Sequence, residues 1–419
     1  MESNKITDSD TLKKDWIYYF VSSILIGSLI LKLIQFTYNC IDPDINNYGF
    51  TEFLINFEGG FVRRGLTGQV LFIISKSLNI SPIPLIICFC IICYIFIFLF
   101  ILIKFRRKKI LWWLVLTPLL CGLTHFIIRK DYLIYLVIIA SFYCINYYKN
   151  INFCLVLICI LSIFGIFLHE AFLFYGFPAI FLFYYQKRPK DIIKISFALI
   201  LTLVCSSFIF LSKGNTLQAY KIIESWNELN VTQPLVFMQH NSIGALSWDT
   251  KQTFISHFNG NFYNSQLGYF PILIRFIKWF IIYYFILGYF YFFHYQDADL
   301  KFNFIKRFNI VYIILTICLL PMFTVLSCDW ARIYQYAVMT SICYTLMMTK
   351  EMEISFINIV VFQKINNINE KLMRRFFPSK WIIILLLLFI GISPVGFSPL
   401  SAFGQSPIGS YFYFFLKFL

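Results

Sequence analysis

Apolar runs of roughly 17–25 residues recur along almost the whole of this chain, which is the length an α-helix needs to cross the hydrocarbon core of a bilayer. In hydrocarbon the backbone amides have no water to bond, so only helices and closed barrels can span. A barrel would show short segments of alternating polarity, whereas the runs here are continuous. The sequence therefore predicts an all-α, polytopic integral membrane protein forming a single membrane domain over residues 1–419. With 59% hydrophobic and 13% charged residues, the chain is excluded from the ordinary soluble classes.

About eleven spans can be laid out by length and hydropathy, near 16–37, 83–104, 111–128, 132–148, 152–168, 171–186, 192–212, 270–293, 309–327, 333–349 and 381–398. The pairs meeting at 128–132 and 168–171 are tight hairpins. The loop Phe105-Arg106-Arg107-Lys108-Lys109 is strongly basic, and basic loops stay in the cytoplasm, which puts the N-terminus inside as well. The formal charge of +15 then reflects leaflet anchoring and contact with membrane lipids, not nucleic-acid binding. The basic segment 350–380 fits the same role. Two longer segments fall on the outer face. The first, 38–82, carries Phe53, Leu54, Phe57 and Phe61 and reads as interfacial amphipathic helices joined at Gly59-Gly60. The second, 213–268, is a polar outer loop of a length that usually caps a site or binds part of a substrate.

Charge inside such a chain is costly and therefore informative. Four clusters stand out, all on the predicted outer face: Glu58 to Gly65 with Arg63 and Arg64, then Arg129-Lys130-Asp131, His169-Glu170, and Asp329 to Arg332. Two arginines among glycines suit an anion, because guanidinium grips phosphate bidentately and keeps its charge when desolvated; they equally suit lipid head groups. Asp42, followed by Pro43 and Asp44, is either a general base, a paired divalent-metal site, or an ordinary turn. Asp131 either serves chemistry or neutralises its basic neighbours. Histidine beside a carboxylate can do acid–base work, but on a helix His169 and Glu170 would point to different sides. Asp329 and Arg332, three apart, can pair on one helix face. His125 falls one turn from the Arg129 cluster, and Cys40 and Cys328 are close enough to the outer face for a disulfide.

No nucleotide-binding glycine loop, zinc spacing or Ser–His–Asp pattern is visible, and no cofactor is implied. Any chemistry must draw on an activated substrate.

The stretch from the opening span through Asp42-Pro43-Asp44 and Gly60-Phe-Val-Arg-Arg-Gly-Leu-Thr-Gly-Gln-Val-Leu71, with later hairpins carrying Asp131 and Glu170 at their ends, resembles the GT-C membrane glycosyltransferases. Length and the single sizeable outer loop are similar to those of O-antigen and capsular polysaccharide polymerases, although the loop 213–268 lacks the arginines those proteins carry there. The resemblance implies a bacterial inner-membrane enzyme acting on a polyprenyl-diphosphate-linked saccharide, working beside other polysaccharide-assembly membrane proteins. It implies catalytic roles for Asp42, Glu58, Asp131 and Glu170. Substrate binding would fall to Arg63, Arg64, Arg129, His169, Asp329 and Arg332. A single-sugar transferase and a lipid-linked oligosaccharide transporter are the alternatives.

Overall fold

The structure is a computed structural model that describes residues 8–39, 44–106, 128–229, 234–238, 241–248, 303–326, 330–349 and 360–376, together with 251, 254–255, 257–259, 273, 276–277, 352, 409, 411–412 and 415. The described elements are helical throughout: α1 Asp8–Asn39, α2 Tyr48–Leu54, α3 Gly65–Leu78, α4 Pro82–Arg106, α5 Asp131–Tyr147, α6 Ile151–Leu168, α7 Phe172–Lys187, α8 Ile192–Leu211, α9 Thr216–Asn227, α10 Asn303–Pro321, α11 Trp330–Met347 and α12 Val360–Phe376. Among the described residues, three stretches are long and apolar enough to cross a membrane: Pro82–Lys104, Ile151–Leu168 and Pro189–Ile209. The expected spans at 111–128, 270–293 and 381–398 lie wholly or almost wholly outside the described residues, as do Cys40, Asp42, His125, Cys328 and Asp329.

Local signals explain where the helices start. Asn47, Asn150 and Asn215 cap α2, α6 and α9, their side-chain oxygens accepting from the amides of Phe50 (3.1 Å), Phe153 (3.2 Å) and Gln218 (2.9 Å). Each cap satisfies one of the amides a helix start leaves unpaired.

The described helices bury two apolar cores. The larger lies between α4, α5, α6, α7, α10 and α11, where Phe142 stacks on Phe183 at 4.4 Å and Tyr344 closes edge-on against both rings. The smaller joins α2, α3, the start of α4, α9 and the side chains of Leu235, Ile243 and Leu246 around Trp226. Trp226 is fully buried, sets its ring edge-on to Phe72 at 5.2 Å, and donates its indole N–H to the Leu54 carbonyl at 2.6 Å. Thus the segments expected as an interfacial stretch and a separate outer loop share one core. One part of that expectation needs correcting: α2 does not lie on a surface, since Phe50 through Leu54 are all buried, Glu52 included. Helix α3 keeps an exposed side at Val70, Ile73 and Leu78.

The turn between α2 and α3 depends on small residues. Gly60 takes φ +112°, where a side chain is strained. Gly68 brings α3 so close to the end of α2 that a Cβ there would overlap the Ile55 carbonyl.

A buried charge cluster as candidate functional site

The starts of α5, α7 and α11 and the end of α6 come together at one end of the bundle, and α2 and α3 are packed over that end. Their charged residues form a single cluster. Asp131, the first residue of α5, receives Arg332 of α11 bidentately, Nε at 2.8 Å and Nη2 at 2.7 Å, and accepts a third bond from the Tyr336 hydroxyl at 2.8 Å. The hydrogen-bonding partner of Asp131 is thus 201 residues away, and its neighbour Arg129 adds charge without a hydrogen bond to it among the described residues. Tyr336 is in turn stacked on Tyr175 at 4.2 Å.

Glu170 makes the matching clamp on the other side. Arg64 donates to it through both Nε and Nη2, and Arg63 lies within 3.5 Å. Because His169 and Glu170 occupy the turn between α6 and α7 and not a helix, both side chains face the same cluster. Their Nδ1···Oε2 separation is 3.7 Å, which corrects the expectation that they diverge. Burial raises the Glu170 carboxyl, but Arg64 and then Arg63 outweigh it and hold the group well below the usual carboxylate range.

Arg64 is held in an unusual backbone state, with φ 65° at the start of α3. Arginine pays sterically for this left-handed conformation. The surroundings fix it there from three sides: Glu170 on the guanidinium, the Tyr48 hydroxyl accepting from Nη1 at 3.2 Å, and the Arg64 carbonyl accepting from Lys130 Nζ at 2.8 Å. Lys130 is fully buried above the Phe53 ring. That burial, reinforced by Arg64 and opposed by Glu52, lowers its ammonium to about 7.

Glu52 occupies the middle of the cluster and is fully buried. Among the described residues its carboxylate oxygens accept no hydrogen bond, although Arg129 (3.8 Å), Arg332 (3.7 Å) and His169 Nε2 (3.5 Å) surround it at ion-pair distance. His169 Nδ1 accepts from the Ala171 amide at 3.1 Å, which leaves the proton of the neutral ring on Nε2, facing Glu52. Burial and then Arg64 push the His169 imidazole well below its ordinary value, so it is neutral at pH 7.

The cluster contains Arg63, Arg64, Arg129, Lys130 and Arg332 against Glu52, Asp131 and Glu170, an excess of positive charge in a dry setting. Of the residues singled out from sequence, Arg63, Arg64, Arg129, Asp131, His169, Glu170 and Arg332 meet here. Glu58 does not join these ion pairs; it is exposed and accepts from Gln69 Nε2 at 3.0 Å. Asp44, also exposed, accepts from the Asn46 amide at 3.0 Å in a turn. Among the described residues no group of three or more His, Cys, Asp or Glu is arranged to hold a metal. Sequence reasoning missed Glu52, Tyr48 and the anchoring role of Lys130. The one available signal was the spacing of Tyr48 and Glu52, a single helical turn apart on α2.

The chain matches no protein-family model, no curated protein and no solved structure.

Proposed function

We propose that this chain is a polytopic membrane enzyme of about eleven spans, N-terminus in the cytoplasm, in a bacterial inner membrane. It transfers glycosyl units on the outer face from a polyprenyl-diphosphate-linked sugar, and the reaction it serves is polymerisation of surface polysaccharide repeats. The observation carrying this reading is the excess of buried arginine at one end of an apolar bundle. Such a site favours an anion whose charge grows during reaction, as a diphosphate leaving group's does.

In this scheme Asp131 and Glu170 are positioning residues that aim Arg332 and Arg64, because both carboxylates are already fully engaged. Arg63 and Arg129 complete the anion's surroundings. Glu52, with neither oxygen in a hydrogen bond among the described residues, has the capacity to receive the proton of the acceptor hydroxyl. The acceptor oxygen bonds to the anomeric carbon, the carbon–oxygen bond to diphosphate breaks, and the electron pair leaves with the diphosphate. A leaving group this good needs no acid, which suits a neutral His169. Asp42 is a second candidate for the base.

Purified protein given a lipid-diphosphate oligosaccharide should lengthen it, and Arg63→Ala should remove that activity while inserting into membranes at wild-type level. Full activity in Arg63→Ala, or no glycan product from wild type, refutes the proposal. In cells, deletion followed by a gel of the surface glycolipid separates two versions: a ladder collapsing to one repeat marks a polymerase, and loss of the first repeat marks a single-sugar transferase.

A further inference from the structure

The approach to the cluster has an amphiphilic edge. Residues 61–63 lie in the turn that leads into α3: Val62 is fully buried in the smaller core, while Phe61 is 51% exposed and the Arg63 side chain is 26% exposed. Phe61 stacks on Phe57 at 5.5 Å and meets Phe167 of α6 edge-on at 5.9 Å. Phe167 ends a ridge on α6 that runs through Phe153, Val156, Ile160 and Ile163 at three- and four-residue spacing, and its first three members are each more than half exposed. Helix α6 is one of the stretches long and apolar enough to span a bilayer, so this ridge is where hydrocarbon would lie. A lone exposed phenylalanine needs no explanation. One that prolongs a lipid-facing ridge up to an arginine does.

Arg63 differs from the other arginines of the cluster. Its contact to Glu170 is an ion pair at 3.5 Å, and among the described residues its guanidinium donates no hydrogen bond. Its donors are therefore free for an incoming oxyanion, two residues along the chain from an exposed ring.

We infer that Phe61 and Arg63 form the lipid threshold of the site: the diphosphate of the substrate lies on Arg63 while the first part of its hydrocarbon chain covers Phe61 and runs down the α6 ridge past Phe167. This deepens the reading proposed above and rests on it. The substrate enters sideways from the bilayer, and the chain contributes to recognition instead of serving only as an anchor. The occupant is one class of molecule, a long-chain lipid diphosphate, and not the bulk phospholipid.

Wild type and Phe61→Ser are compared in zwitterionic phospholipid vesicles with two donors carrying the same saccharide diphosphate, one on a long prenyl chain and one on a short, water-soluble chain. The long-chain donor should have the lower KM in wild type. Phe61→Ser should raise that KM about tenfold and leave the short-chain donor unchanged, and Phe61→Leu should restore most of the preference. Equal effects on both donors, or none on either, overturn this inference alone while the wild-type activity upholds the underlying reading. A wild type inactive on both donors overturns that reading, and this inference with it. Competition by added anionic phospholipid as strong as that by unglycosylated long-chain lipid diphosphate makes the edge a general lipid contact, and overturns the proposal.

Discussion

Asp131→Asn and Arg332→Gln, separately and together, test whether the clamp across α5 and α11 holds this end of the bundle. Both side chains are about seven-eighths buried, and Asp131 accepts three hydrogen bonds, two of them from one guanidinium. Removing one member of such a pair strands the other charge out of water, at a cost of about 3–5 kcal/mol. Asp131→Asn should fall near the lower end, because Arg332 retains Glu52 at 3.7 Å. Arg332→Gln should cost more, since the carboxylate then keeps, among the described residues, one hydrogen bond from Tyr336 and the more distant charge of Arg129. Three kcal/mol is roughly two decades in the folding equilibrium, well within measurable range. The double variant should cost less than the two singles summed, by about 2 kcal/mol, since neither charge is then left alone. Equilibrium unfolding in mixed detergent micelles reports these values through labelling of Cys154 and Cys343, thiols buried in the folded bundle. Singles costing under about 1 kcal/mol each, with a strictly additive double, would show the pair behaving like an exposed salt bridge and refute the reasoning.

Three further outcomes are expected. Glu52→Gln keeps the shape of the central side chain and should lower turnover by about two to four decades, with wild-type detergent elution and protease resistance; near-normal turnover would remove Glu52 from the chemistry. At position 64, glycine should be more stable than alanine by about 1 kcal/mol, the reverse of the usual order in a helix, because the backbone there has φ 65°; alanine equal to glycine in a melt would mean the left-handed conformation is not imposed. Lys130 binds its proton less tightly folded, at about 7, than the ordinary 10.5 of the unfolded chain. The unfolded state therefore holds more protons between those values, so stability from this group is fully present above 10.5 and is lost as pH falls towards 7. Wild type should gain stability relative to Lys130→Met as pH climbs through that window, and parallel pH profiles for the two proteins would contradict the assignment.

Much of the helical layout was legible because its causes are local. Length and apolarity mark α4, α6 and α8, and the hairpin turns at 128–132 and 168–171 are where charge interrupts the runs. The same interruptions named most of the cluster. What the sequence hid was partnership. Asp131 next to Arg129 and Lys130 invites a neighbourly ion pair, yet its bond is to Arg332 through tertiary packing. Glu52 was hidden for a different reason: one acid amid Phe50, Phe53 and Leu54 reads as the solvated side of an amphipathic helix, and only the burial of α2 with α3, α9, Leu235 and residues 242–246 reverses that. Glu58 drew attention through its glycines, but those glycines shape the turn, and the carboxylate itself faces outward to Gln69.

The distance along the chain between Asp131 and Arg332 also sets a schedule. A ribosome adding roughly 5–20 residues per second needs on the order of 10–40 s to make the 201 residues that separate them. Glu170 meets the opposite situation, because Arg64 precedes it by 106 residues and is already present when it emerges. The two clamps of one site are therefore closed at different times in the life of each molecule. Helix α5 spends that interval with its terminal carboxylate lacking the guanidinium, so a chain stalled or truncated before α11 presents Asp131 without its partner to whatever machinery inspects half-made chains.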